Sequence, residues 1–153
     1  MPRSRYGADV MSKGYGSRRT ESFWWYGSKE GLTDRVLPPW TPVRIREEDT
    51  AFRIHVWGRE YTIGSSPFIN NISSLGRTLL YQPINLVANV NGELSNWRLK
   101  SISKVESSDS KVIIKEEFES QYLTLEVLVN VEYDGVIRFD WNLKPLKNVQ
   151  LKD

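Results

Sequence analysis

Residues 122–143, "YLTLEVLVNVEYDGVIRFDWNL", restrict the fold more than any other part of the chain. Leu123, Leu125, Val127, Val129 and Val131 recur every second residue, and after Tyr133-Asp134-Gly135 so do Ile137, Phe139, Trp141 and Leu143. A period of two gathers these side chains on one face only if the backbone is extended; on a helix they would scatter around the axis. The stretch therefore predicts two antiparallel strands with a shared apolar face, which places Trp141 in the core. Asp134 is expected to hold the turn through a hydrogen bond from its side chain to the backbone.

The rest of the chain repeats this pattern in shorter pieces. Phe52, Ile54 and Val56 alternate with Arg53 and His55, and "KVIIKEEF" (111–118) gives another strand. "INLVANVNG" (84–92) alternates Ile84, Leu86, Ala88 and Val90 before Asn91-Gly92, a pair suited to the positive φ angles of a tight hairpin. A further strand is expected to resume through Trp97 and Leu99. The best helix candidate, "INNISSLGRTLL" (69–80), is weakened by Asn, Ser and Gly and reads as a loop with at most one helical turn. Parallel pairing needs long crossovers that are missing here, so the expectation is an all-β, antiparallel β-sandwich.

At 153 residues the chain has the length of one domain, able to remove about two-thirds of its unfolded surface from water. Residues 1–22 are rich in Gly and Ser without periodicity and read as a flexible leader. Residues 23–42 combine Phe23, Trp24, Trp25, Tyr26 and Trp40 with three prolines, predicting an extended segment lying against a sheet. Within it, Leu37-Pro38-Pro39 and Thr41-Pro42 favour extended or polyproline geometry. The sandwich is expected over 43–153.

Chemistry is thinly represented. Without cysteine the chain offers no disulfide, thiolate nucleophile or Cys-based zinc site. The single histidine, His55, falls on the polar face of a strand, where solvation or a hydrogen bond is expected rather than metal or proton chemistry. Neither metal nor cofactor is expected. Glu116 and Glu117 are adjacent on a strand and point to opposite faces, so they do not form an acid and base pair. With 21 basic and 19 acidic residues the charge is too balanced for a nucleic-acid surface. No apolar run approaches the roughly 20 residues of a membrane helix, and no signal peptide is visible, so a soluble chain is expected. The aromatic cluster "WGREY" leaves one candidate site. Trp57, Arg59 and Tyr61 are candidates for sugar or interdomain contact, and spacing leaves open whether Arg59 stacks on a ring or pairs with Glu60.

"GLTDRVLPPWTPV" (31–43), "VWGREY" (56–61), "ISSLGRTLLYQPINL" (72–86), Asn91-Gly92 with Trp97 close behind, and "VEYDGVIRFDWNLKP" (131–145), in this order, resemble the N-terminal domain of glycoside hydrolase family 123-like proteins. The resemblance covers about residues 31–145. It implies a β-sandwich module beside a (β/α)8 barrel that acts on β-linked N-acetylgalactosamine by substrate-assisted catalysis, with an Asp-Glu pair in the barrel. This chain contains no Asp followed directly by Glu, and a barrel needs about 250 residues. No catalytic residue is therefore assigned, and the chain is expected to be a non-catalytic domain. The implied partners are the barrel of the parent protein and an N-acetylgalactosamine-containing glycan. The alternative is a carbohydrate-binding module built on Trp57, Arg59 and Tyr61. The sequence also reads as a fragment truncated at the C-terminal side, which predicts an unpaired edge strand there.

Overall fold

The computed structural model describes residues 33–148. The leader at 1–22 and the aromatic residues Phe23, Trp24, Trp25 and Tyr26 lie outside the described residues. Five strands, β1 (Arg44–Glu48), β2 (Ala51–Val56), β3 (Arg59–Ile63), β4 (Asn71–Ser74) and β5 (Arg77–Thr78), form one antiparallel meander. A two-stranded ribbon follows, β6 (Asn89–Val90) and β7 (Glu93–Leu94). The second large sheet has the order β11-β10-β9-β8, from β8 (Arg98–Ser107), β9 (Lys111–Glu119), β10 (Leu123–Glu132) and β11 (Ile137–Pro145). Every pairing is antiparallel, and no helix occurs among the described residues.

The two large sheets share one core. Phe52, Ile54, Val56, Tyr61 and Ile63 from the first sheet meet Val112, Ile114, Phe118, Leu125, Val127, Val129 and Val131 from the second. This is the alternation of the sequence realised as burial: β10 hides its odd-numbered residues from Leu123 to Val131, with β9 and β11 in unbroken register on either side. The outer faces carry ion pairs instead. Lys115 bridges Glu117 at 2.9 Å and Glu126 at 2.8 Å, and those hydrogen bonds, Glu126 first, raise its ammonium pKa.

Several local expectations are corrected. Leu37–Trp40 is a tight turn, closed by the Trp40 N–H donating to the Leu37 carbonyl (3.0 Å) across a cis Pro38–Pro39 peptide, where extended geometry was expected. Proline fits such a turn as well as it fits a ribbon. Trp40 still packs as an aromatic anchor, edge-on to Tyr133 with ring centroids 5.9 Å apart. The expected strand at 84–90 shrinks to Asn89–Val90. Pro83 cannot donate to a ladder, and Leu86 is held instead by the Trp97 indole N–H, which donates to its carbonyl at 2.7 Å. Residues 71–78 form a β4–β5 hairpin rather than a helical turn, with Leu75 and Gly76 both at positive φ. Trp141 lies on the core-facing side but is 53% exposed, because β11 is the edge strand of its sheet among the described residues.

The Asp134 turn forms as expected: the Val136 N–H donates to Asp134 Oδ1 at 2.9 Å. One charge is out of place. Glu116 shares the core face of β9 with Ile114 and Phe118 and is 0% exposed. Neither of its carboxyl oxygens makes a hydrogen bond of normal geometry. Desolvation pushes its pKa up to about 9, outweighing the nearby Phe68 amide, which favours the ionised form.

Candidate functional site

Strand β2 ends at Val56, and Trp57-Gly58 make the two-residue turn into β3, with Val56 facing Arg59. Gly58 carries the positive φ (+72°) that a type II turn needs at its second central position. Trp57 therefore belongs to neither sheet face and sits at the tip, 53% exposed. Beside it lies the β4–β5 turn, whose Leu75 N–H donates to the Gly58 carbonyl at 3.1 Å. Leu75 is 87% exposed, so the two turns present an apolar tip.

Alternation then separates the remaining candidates. Glu60 points to the outer face, and Arg59 and Tyr61 turn inward. The Tyr61 ring is 2% exposed, and its hydroxyl donates to the Gly135 carbonyl at 3.1 Å while accepting from Arg59 Nη1 at 3.3 Å. Gly135 belongs to the β10–β11 turn of the opposite sheet, so this chain of bonds ties the two sheets together at one end of the sandwich. A Cβ at Gly135 would lie 2.8 Å from Arg59 Nη1 and 3.1 Å from the Tyr61 hydroxyl, so it would push these two side-chain ends apart, and the positive φ of +90° also favours glycine there. Arg59 thus neither stacks on Trp57 nor pairs with Glu60. Tyr61 offers no ring face to a sugar, and the three residues do not form one exposed platform.

Removing the hydroxyl tests this latch. Tyr61→Phe is expected to lower stability by about 1 kcal/mol, the net worth of an ordinary protein hydrogen bond, with the fold retained. Urea unfolding with unchanged slope would check it, and a midpoint equal to that of the wild type would count against the latch.

The outer face of the first sheet holds an open groove of about 550 Å³, lined by His55, Arg53, Glu60, Asn71, Ser73 and Thr78 among others. Its charges are mutually engaged. Arg53 donates to Glu48 at 2.7 Å and to Glu60 at 3.2 Å, and Glu60 also contacts His55 Nε2 at 3.2 Å. The guanidinium pKa is raised, first by the hydrogen bond to Glu48. Asn71, Ser73 and Thr78 add uncharged polar groups along the same rows of the sheet. Sequence reading placed His55 on this face but missed the groove, because its residues come from four strands whose register is set by the turns.

Among the described residues, the facing carboxylates Glu117 and Glu126 are both held by Lys115, at 2.9 and 2.8 Å, and His55 contacts Glu60 at 3.2 Å, so none of them stands as a free acid and base pair. A carboxyl with a raised pKa suits a general acid, and Glu116 has one, but it is sealed in the core and lines no groove. Among the described residues no group of three metal-ligating side chains comes together, and no helix is long and apolar enough to cross a membrane.

No curated protein gives a significant match to the chain. A family model does: glycoside hydrolase 123, third domain, matches residues 47–153, a span that takes in the end of β1 and every strand from β2 to β11. The model is described as a third domain, where the sequence reading expected an N-terminal one. Since the match covers most of the chain, this protein belongs to the glycoside hydrolase 123 family.

Proposed function

We propose that this chain is a non-catalytic β-sandwich domain that supports the (β/α)8 catalytic barrel of a glycoside hydrolase 123 protein acting on β-linked N-acetylgalactosamine. One observation carries the reading: the family match, to a third domain, coincides with a sandwich of antiparallel sheets rather than with a barrel, and the facing carboxylates that line a groove, Glu117 and Glu126, are tied to Lys115. A substrate-assisted hydrolase needs a carboxylic acid at the scissile bond and a carboxylate orienting the acetamido group, both open to a ligand. The test is hydrolysis of a chromogenic β-N-acetylgalactosaminide by the purified chain. No turnover above the protein-free control is expected; a rate that co-purifies with the chain through successive columns refutes the proposal.

A second reading, a carbohydrate-binding module, draws on the groove over β2–β5. It is polar, large enough for a sugar ring, and flanked by a turn that presents Trp57 half exposed. Exposed indole against the apolar face of a sugar, with hydrogen bonds from Asn71, Ser73 and Thr78, is the chemistry such a module uses. Under the supporting-domain reading, tryptophan fluorescence is unchanged on titration with N-acetylgalactosamine. A saturable shift that is lost in Trp57→Ala, with cooperative unfolding intact, favours the module.

A further inference from the structure

Among the described residues, the edge strands of the two large sheets are not alike. Strand β5 has two residues, and β1 has five with Arg44, Arg46, Glu47 and Glu48 among them. Strand β8 is interrupted by register shifts at Leu99/Ser101 and Lys104/Glu106 and carries Lys100 and Lys104. Short length, charge and bulges are the devices by which sheets avoid pairing with another chain. Strand β11 is neither short nor bulged: it keeps nine residues in unbroken register with β10, its charges Arg138, Asp140 and Lys144 are of both signs, and it leaves Trp141 half exposed beside its outer edge.

We propose that β11 is an association edge that pairs antiparallel with β11 of a second copy of this chain, centred on Asn142. Facing residues in an antiparallel pair lie on the same face of the sheet, so a strand can meet its own copy only about a residue. Centring on Asp140 sets that carboxylate against itself, and centring on Trp141 sets Arg138 against the partner's Lys144. Both are repulsive pairs. Centring on Phe139 pairs Arg138 with the partner's Asp140 but overlaps only residues 137–141. The axis at Asn142 overlaps residues 139–145, pairs Asp140 with the partner's Lys144 twice, and brings Trp141 against the partner's Leu143. Lys144 has no carboxylate partner among the described residues, and Asp140 contacts only Arg138, with both side chains more than half exposed. The edge is therefore self-complementary in charge as well as in its exposed apolar group. This association is independent of whether the domain supports a barrel or binds sugar.

The chain contains no cysteine, so a single introduced thiol reports the register. Asn142 is exposed on the outer face, and in the proposed dimer its two copies face each other at a Cα separation of about 4.5–5.5 Å, within disulfide range. Asn142→Cys is expected to give a covalent dimer on mild oxidation, whereas Arg138→Cys, equally exposed, stays monomeric on a non-reducing gel. Sedimentation of the untouched chain should show a reversible dimer, and Trp141→Lys should weaken it roughly tenfold or more. A wild-type chain that sediments as a monomer throughout the micromolar range overturns the proposal, as does cross-linking of Arg138→Cys as readily as Asn142→Cys.

Discussion

Replacing Glu116 by methionine is expected to stabilise the domain at neutral and alkaline pH and to remove much of its loss of stability as pH rises. The carboxyl is 0% exposed among Ile114, Phe118 and the residues that face it across the sheet, Ile102 and Val127, and its pKa rises from 4.5 to about 9 on folding. Between those values the native state keeps a proton that the unfolded chain has lost. The unfolded state then binds fewer protons, so stability falls with pH, by about 1.4 kcal/mol per unit. This group's contribution is whole below the unfolded pKa and lost by the folded one, with no further fall beyond it. At pH 7 the loss is on the order of 3 kcal/mol.

Methionine has a similar reach and no oxygens to desolvate. The difference between variant and wild type in urea unfolding should therefore be small near pH 4.5, widen steadily toward pH 9, and then level off. Taking the difference cancels the other titrating groups. Glu116→Gln should also flatten the profile, but at lower stability than methionine, because it buries an amide with the same shortage of partners. A variant curve parallel to the wild type from pH 5 to 9 would show that the carboxyl does not stay protonated in the folded core.

Glu116 also marks where sequence reading stops. The β10–β11 hairpin and its turn were legible because every second residue from Leu123 to Leu143 is apolar, apart from the turn itself, and one face explains them all. Glu116 has the same phase as Val112, Ile114 and Phe118, which was the available signal. Alternation puts Glu116 and Glu117 on opposite faces, but a charged residue is rarely fully buried, so the phase alone does not announce a carboxyl in the core. Trp141 shows the converse. Its phase was right, but exposure depends on whether another strand lies alongside, and the order of strands in a sheet is not written in the periodicity of any one of them. The groove was hidden for the same reason. The cluster "WGREY" is divided between a turn and two opposite faces because β2 ends one residue before Trp57, a boundary that spacing alone does not mark.

The register that builds the groove depends on a close backbone approach at Gly64, just past β3, and Gly64→Ala is expected to be the most damaging single-methyl change in the first sheet. A Cβ there would overlap the Thr50 carbonyl oxygen and lie 2.8 Å from Ala51 Cα, all backbone atoms that no rotamer change can move. Thr50 lies in the turn between β1 and β2, Ala51 opens β2, and Phe52 faces Ile63 one step along, so relief requires prising β2 away from the end of β3. Overpacking against backbone costs on the order of 3 kcal/mol, and the positive φ of +153° adds to it. Gly76→Ala is the control. It also has positive φ, but a Cβ there meets nothing within 4 Å, so about 1 kcal/mol of backbone strain is all it should lose. Urea midpoints that fall far more for Gly64→Ala than for Gly76→Ala would confirm that contact, not conformation, selects glycine at this position. Equal losses would mean that the strands part easily. Arg53, His55 and Glu60 would then be held in place by their own ion pairs rather than by the close-packed backbone beneath them.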